Sequence, residues 1–244
     1  YRDAKAEEPN ITRGLLPKLG RQLSRPAPKP EALAAYVYAV LSSPRYQERF
    51  AEALKTPGPR VPMTADAALW DEAVALGTWL LWLHTYAERL QDKAKGRGRY
   101  VPFVPGLDWQ EPVRTMPETP KDLHYDAETQ VLSVGDGRVG GVAPEVWDFE
   151  VSGMPVVKKW LAYRTQKGAG KATSSESALD HIRPTAWADE WNDELLELLR
   201  VLTLTVEKHA EQASLVDRIC DGPLIPASEL PKPKDTERKP PKGE

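Results

Sequence analysis

Two glycine-bearing runs carry the letters of nucleotide-binding loops. Gly135, Gly137 and Gly140 in GDGRVG fit the G-x-G-x-x-G spacing, in which a strand hands over to a helix whose first amides face a pyrophosphate. Gly141 and Pro144 follow at once, so no long helix starts at the third glycine, and a hairpin turn on Asp136-Gly137 explains the same residues. In KGAGKAT, Thr165 stands where the first glycine of a phosphate loop belongs and Ala172 where the Mg²⁺-binding hydroxyl belongs, so a flexible basic loop is the simpler reading. His84, His124, His181 and His209 lie in separate elements without H-x-x-x-H or HExxH spacing, and no G-x-S-x-G occurs. The lone Cys220 has no partner nearby in sequence and permits neither an internal disulfide nor a Cys-based metal site. Asp189, Glu190, Asp193, Glu194 and Glu197 fit the solvated face of a helix, with a carboxylate metal or nuclease site as the minor alternative. The residues therefore assemble no catalytic centre.

Charge is more informative. The formal net charge is −3, with 33 Lys and Arg against 36 Asp and Glu, yet three segments hold no acid. Ile11 to Pro30 carries Arg13, Lys18, Arg21, Arg25 and Lys29; Lys93 to Leu107 carries Lys93, Lys95, Arg97 and Arg99; Val151 to Ser175 carries Lys158, Lys159, Arg164, Lys167 and Lys171. A cationic helix face beside a glycine loop can bind phosphates through charge and counterion release. Lys158, Lys159, Arg164, Lys167 and Lys171 are the candidate phosphate contacts.

The elements that must position these residues follow from periodicity. In 244 residues, 41% hydrophobic and 28% charged, one large domain or two small ones can form. Leu33, Tyr36, Val37, Val40 and Leu41 keep helical spacing after Pro30, and Tyr46, Phe50 and Leu54 follow, giving a helical hairpin. Residues 65–92 read as one long helix through Leu69, Ala73, Leu76, Leu80, Leu83 and Leu90, with Trp79 and Trp82 widening its apolar face. Residues 93–122, rich in proline and glycine, read as irregular, and 124–142 alternate as a β-hairpin or three-strand meander. Pro155 opens a helix anchored by Val156, Val157, Trp160 and Leu161, and residues 193–222 form a last amphipathic helix in one or two pieces. The expected fold is α+β and mainly helical, a helical hairpin and long helices packed with a small antiparallel β-sheet. Its expected divisions are an extended lead-in from an upstream domain over 1–30, a folded domain over 31–222 and a disordered tail over 223–244. The first residue is Tyr1, which suggests a fragment of a longer parent; no apolar run is long enough to span a bilayer, and a reducing cytoplasm fits best.

An ordered set of segments is more specific than any one of them: LAAYVYAVLSSPRYQERFAEAL (33–54), PRVPM (59–63), ALGTWLLWLH (75–84), VWDFEVSGMPVVKKWLAYR (146–164), and IRPTAW with ELLELLRVLTLTVE (182–207). In that order the chain resembles the C-terminal target-recognition domain of type ISP restriction–modification enzymes, over most of residues 11–224. The resemblance implies a module that reads an asymmetric double-stranded DNA site and presents it to an upstream adenine-specific methyltransferase domain, as part of bacterial defence; Lys158, Lys159, Arg164, Lys167 and Lys171, with Arg60 and Arg183 added, are then the candidate DNA contacts, arginine suiting guanine and lysine suiting backbone or guanine. It also implies that S-adenosylmethionine, ATP and Mg²⁺ serve the parent's other domains and that no cofactor belongs to this chain, which has neither a Walker loop nor an N-P-P-Y-type motif for a flipped adenine. The alternative from another class is a protein-interaction adaptor of a phage or defence assembly that uses the tryptophan-rich helices as its interface.

Overall fold

The computed structural model describes residues 9–166 and 184–238, and within these the chain divides into two compact units, each with its own core. The first comprises the described residues within 1–85, 89–97 and 208–244; the second comprises those within 86–88 and 98–207.

The first unit is helical. Helices α1 (Leu15–Gln22), α2 (Pro30–Leu41), α3 (Pro44–Arg49), α4 (Ala51–Leu54) and α5 (Ala67–His84) join the C-terminal part of α8 (Glu190–Asp221). Pro30 and Pro44 each start a helix at its first position, where the missing N–H costs nothing. Asp66 caps α5 by accepting from the Ala68 and Leu69 amides. The expected helix over 65–92 is shorter: the Thr85 hydroxyl takes up the Leu81 and Trp82 carbonyls, and left-handed backbone at Tyr86, Ala87 and Leu90 turns the chain away.

Helices α2 and α5 cross in close contact because Gly77 has no side chain; a Cβ there would lie 1.8 Å from the Ala35 carbonyl oxygen. Tyr36 stacks on Trp70 at 4.5 Å, donates to the Pro62 carbonyl and accepts from the Thr64 amide, so this fully buried phenol has both a packing and a polar partner. Gln212 of α8 is buried as well, and its amide donates to the Ala39 carbonyl and the Ser42 hydroxyl.

Both ends of this unit differ from the sequence expectation. Within the segment read as an extended lead-in, α1 buries Leu19, and Leu23 just after it, against Leu33, Leu76 and Leu215 of the same cluster. Within the segment read as a disordered tail, Thr64 pairs with Leu224, the Ala65 amide donates to Pro223, the Ile225 amide donates to Met63, and Ile225 is 6% exposed. Apolar burial and strand-like hydrogen bonds offset the ordering entropy of a proline-rich stretch. Lys18 pairs with Glu229 at 2.9 Å, which ties the two flanking segments together.

The second unit is α+β. Strands β1 (Asp108–Glu111), β2 (Leu123–Asp126), β3 (Val131–Val134) and β4 (Gly137–Gly140) form an antiparallel sheet in the order β1-β4-β3-β2, with a bulge between Trp109 and Glu111. The expected meander thus gains a fourth strand from the region read as irregular. The β3–β4 turn is Gly135-Asp136 rather than Asp136-Gly137, with Val134 facing Gly137 and Gly135 at φ 57°, the pattern of a type II′ hairpin. Gly137 lacks room for a Cβ against Val113, so the glycines of GDGRVG serve a hairpin and its packing.

Helix α6 (Pro144–Trp147), the two-residue strands β5 (Glu150–Val151) and β6 (Met154–Pro155), and helix α7 (Val156–Ala162) follow, and the N-terminal part of α8 closes the core. Asn192 of α8 completes it: its side chain accepts from the Val113 amide and donates to the Val113 carbonyl, while the Trp109 indole donates to the Asn192 carbonyl. The fold is mainly helical α+β, as the sequence implies.

Two outcomes follow from the first unit. Gly77→Ala is expected to lower unfolding free energy by at least about 2 kcal/mol in urea titration, because backbone on both sides leaves nowhere for the methyl to go. Gly98→Ala, a control in the second unit that meets open space, is expected to change it by less than about 0.5 kcal/mol. The second outcome concerns acid. The Arg45 guanidinium, with Arg49, holds the Asp217 carboxyl below its ordinary value; Arg49 does the same for Asp221 and Arg218 for Glu72. A pKa depressed in the folded state gives stability that is complete above the unfolded value and lost as pH falls through the folded value. The melting temperature should therefore decline below about pH 4, and Arg49→Leu should flatten that decline; an equally steep acid limb in the variant would show that these pairs do not set it.

Candidate nucleic-acid interface

Helix α7 exists because Val157 and Leu161, one turn apart, are buried in the second unit's core and because Pro155 precedes its first turn. Its cations emerge from that anchor in three different states. Lys158 reaches back to Asp148 at 2.7 Å and lies over the Trp147 ring at 4.9 Å. Arg164, two residues past the helix, lies 3.6 Å from the Trp160 ring centroid and 5.2 Å from that of Trp191. Its Nη2 donates to Glu194 at 3.1 Å, its Nη1 donates to the Trp160 carbonyl, and only 22% of its side chain is exposed. This guanidinium fastens the end of α7 to α8.

Lys159 differs. It is exposed, its ammonium stands 5.2 Å from the ring of the exposed Tyr163, and among the described residues no carboxylate pairs with it. Arg60 is exposed in the first unit, where its carbonyl accepts from the Tyr46 hydroxyl. Lys167, Lys171 and Arg183 lie outside the described residues. The structure thus gathers Lys158, Lys159 and Arg164 on one helix and its end, commits two of them to acids, and leaves Lys159 facing solvent. The residues missed from sequence are the partners, Asp148, Glu194 and Trp191.

Ahead of α7, Ser152 and Gly153 both adopt left-handed backbone at the turn between β5 and β6, with Val151 and Met154 paired across it and about half exposed. Glu145, Asp148 and Glu150 are also exposed near this turn, so the surface beside α7 is mixed in sign.

The tryptophans belong to the cores. Trp70 and Trp82 are 2% and 0% exposed, Trp187 is 8%, and Trp160, Trp187 and Trp191 form an edge-to-face series. An interaction surface built from the tryptophan-rich helices has little to present.

No catalytic constellation emerges among the described residues. They contain no group of three or more His, Cys, Asp or Glu placed to hold a metal ion. The Tyr38 hydroxyl and His84 Nδ1 are 2.6 Å apart, and burial pushes the phenol up and the imidazole down, with His209 adding to the latter, so the pair is a neutral hydrogen bond. A groove of about 580 Å³ between α2 and α5 is lined chiefly by Ala32, Ala35, Val74, Thr78 and Leu81 and brings no nucleophile to a base. Among the described residues no helix is long and apolar enough to cross a membrane.

No curated protein sequence matches the chain. Among solved structures, the chain is similar to one in the cryo-EM structure of a DrdV–DNA complex, with a TM-score of 0.55 and 20% identity over 87% of this chain and 19% of that one. A nuclease-deletion mutant of the type ISP restriction–modification enzyme LlaGI, in complex with a DNA substrate mimic, matches with a TM-score of 0.47 and 17% identity over 83% of this chain and 14% of that one. The chain thus spans about a fifth or less of the solved chains it matches. Residues 1–198 match the type ISP C-terminal specificity domain, and the chain belongs to that family.

Proposed function

We propose that this chain is the DNA target-recognition module of a type ISP restriction–modification enzyme, and that it positions a specific duplex site for an adenine methyltransferase domain elsewhere in the parent polypeptide. Membership of the specificity-domain family carries the reading. The similarity to chains solved with DNA is consistent with it, and S-adenosylmethionine, ATP and Mg²⁺ would act in the parent's other domains, in the cytoplasm. The recognition function is assigned to residues 31–222, supported by the flanking residues that pack on the first core.

Within this module, α7 is the element that approaches DNA. Its buried face fixes it, and Lys159 with Tyr163 is what it offers. A primary ammonium beside an exposed phenol can meet a phosphate and a neighbouring sugar or base edge at modest ordering cost. Lys158 can add to it by exchanging Asp148 for a phosphate, since a solvent-exposed pair of this kind holds by at most about 1 kcal/mol. Lys167, Lys171, Arg183 and Arg60 complete the proposed set. Arg164 contributes by positioning, because its charge is already used within the fold.

Binding of the chain to duplex DNA across a salt series tests this. Affinity should fall steeply with salt, and no binding even at low salt would count decisively against DNA recognition by this chain. Lys158→Glu with Lys159→Glu should weaken binding at least several-fold with the melting temperature unchanged, whereas equal affinity would remove α7 from the interface. Arg164→Gln should do the reverse in part, lowering stability by about 1 to 2 kcal/mol through loss of its ring and Glu194 contacts. A variant as stable as the unaltered chain would show that Arg164 does not hold α7.

A further inference from the structure

The acid-free segment Lys93–Leu107 has a surface that α7 does not account for. Tyr100-Val101-Pro102 is followed directly by Phe103-Val104-Pro105, a repeat of three residues. The chain here is neither helix nor strand, and burial keeps the same period: Val101, Val104 and Leu107 are 8%, 8% and 0% exposed. Over residues 100–104 this period is that of an extended, proline-shaped chain, which loses little entropy on being fixed, and a turn in which the Leu107 amide donates to the Val104 carbonyl ends it. The inward side chains pin the strip, with Val104 and Leu107 in the second unit's core. The outward positions carry Tyr100 and Phe103, at 74% and 62% the two most exposed large hydrophobic side chains among the described residues.

Each ring has a guanidinium against it. Arg99 lies 5.7 Å from the Tyr100 centroid and Arg200 of α8 lies 5.5 Å from the Phe103 centroid. Among the described residues neither arginine forms an ion pair, and Arg200 Nε is buried without a hydrogen-bond partner. Glu197 feels the Arg200 charge without forming an ion pair with it: burial pushes its carboxyl up, Arg200 pulls it down, and Glu88 and Asp193 add to the rise. Two rigid aromatic faces, held outward at a cost in water and each flanked by a guanidinium, match a partner that alternates apolar ring faces with anionic groups. Nucleic acid is that partner: guanidinium to phosphate, ring to sugar or base face.

We infer that Tyr100 and Phe103, with Arg99 and Arg200, form a second DNA contact of this domain, an aromatic strip that packs on or wedges into the duplex. The contact rests on the DNA-reading role proposed above and deepens it, because an apolar wedge favours base steps that unstack easily and so reads sequence through deformability.

The test separates aromatic from ionic contributions by their salt dependence, using the full 244-residue chain and mixed-sequence duplex DNA. Tyr100→Ala with Phe103→Ala should weaken binding about tenfold or more at every salt concentration, leaving the slope of log affinity against log salt unchanged. Arg99→Gln should instead reduce that slope by about 0.9, the value of one released phosphate contact. Both rings are exposed, so melting temperatures should stay put, and the pair Tyr100→Phe with Phe103→Tyr should bind like the unaltered chain. Affinity of the double-alanine variant within twofold of the unaltered chain would overturn the aromatic contact while leaving DNA recognition intact; the strip would then fit a protein partner better. An unaltered chain that binds no DNA would overturn both readings.

Discussion

Both hydrophobic clusters draw on α8, each through its own set of apolar residues. Leu195, Leu199 and Leu202 are buried at i, i+4 and i+7 in one core, and Leu215, Val216 and Ile219 are buried in the other. A helix of 32 residues with this pattern is not stable through propensity alone; burial of these residues holds it. Its polar atoms are used in the same way. Asn192 replaces a missing strand partner for Val113, Gln212 satisfies the Ala39 carbonyl, and the Thr203 and Thr205 hydroxyls bond back to the carbonyls of Leu199 and Val201. These polar groups are engaged within the fold, whereas Arg200 is left to the proposed DNA contact.

The second unit shows how a short element is made. Helix α7 has only seven residues, too few to persist alone, and it is held by Val157 and Leu161 beneath and by Arg164 at its end. The arginine is planar and weakly hydrated, so it can lie against Trp160 and still reach Glu194. That arrangement uses a charge that would otherwise be available to a ligand. The result is a short, fixed helix on which Lys159 and Tyr163 are the exposed pair.

The sequence made much of the fold legible, in unequal ways. Apolar spacing at 3.6 residues marks α2, α5, α7 and α8, since each buries apolar side chains at that spacing. Helix α1 was not legible, because Pro17 and Gly20 argue against a helix; in the fold Pro17 sits in the first turn, where its nitrogen needs no partner, and Gly20 lets the backbone at Ala27 pass within 2.7 Å of where a Cβ would stand. Strand β1 was hidden for a related reason: Trp109 and Glu111 are separated by a bulge, so the alternation that identifies a strand is broken there. The region around Pro223 reads as low complexity, and Ile225, with Leu230 packed against the same cluster, pins it to the core.

Absence of acids along the sequence does not mean absence of acids in space, and the site is where this matters. Lys158 finds its carboxylate 10 residues upstream and Arg164 finds one 30 residues downstream, both beyond the segment whose composition singled it out. A run of cations is therefore a pool from which the fold withdraws some members, and a partner can use only what remains. Lys159 and Arg99 remain, each beside an exposed tyrosine, and Arg200 remains beside an exposed phenylalanine. The same combination of cation without an ion pair and outward ring arises beside a helix and beside a proline-shaped strip, with no shared sequence pattern to produce it. Charge alone would suit any polyanion, but a ring beside each charge selects a polyanion with flat apolar faces, and that physical distinction favours nucleic acid over an acidic protein surface.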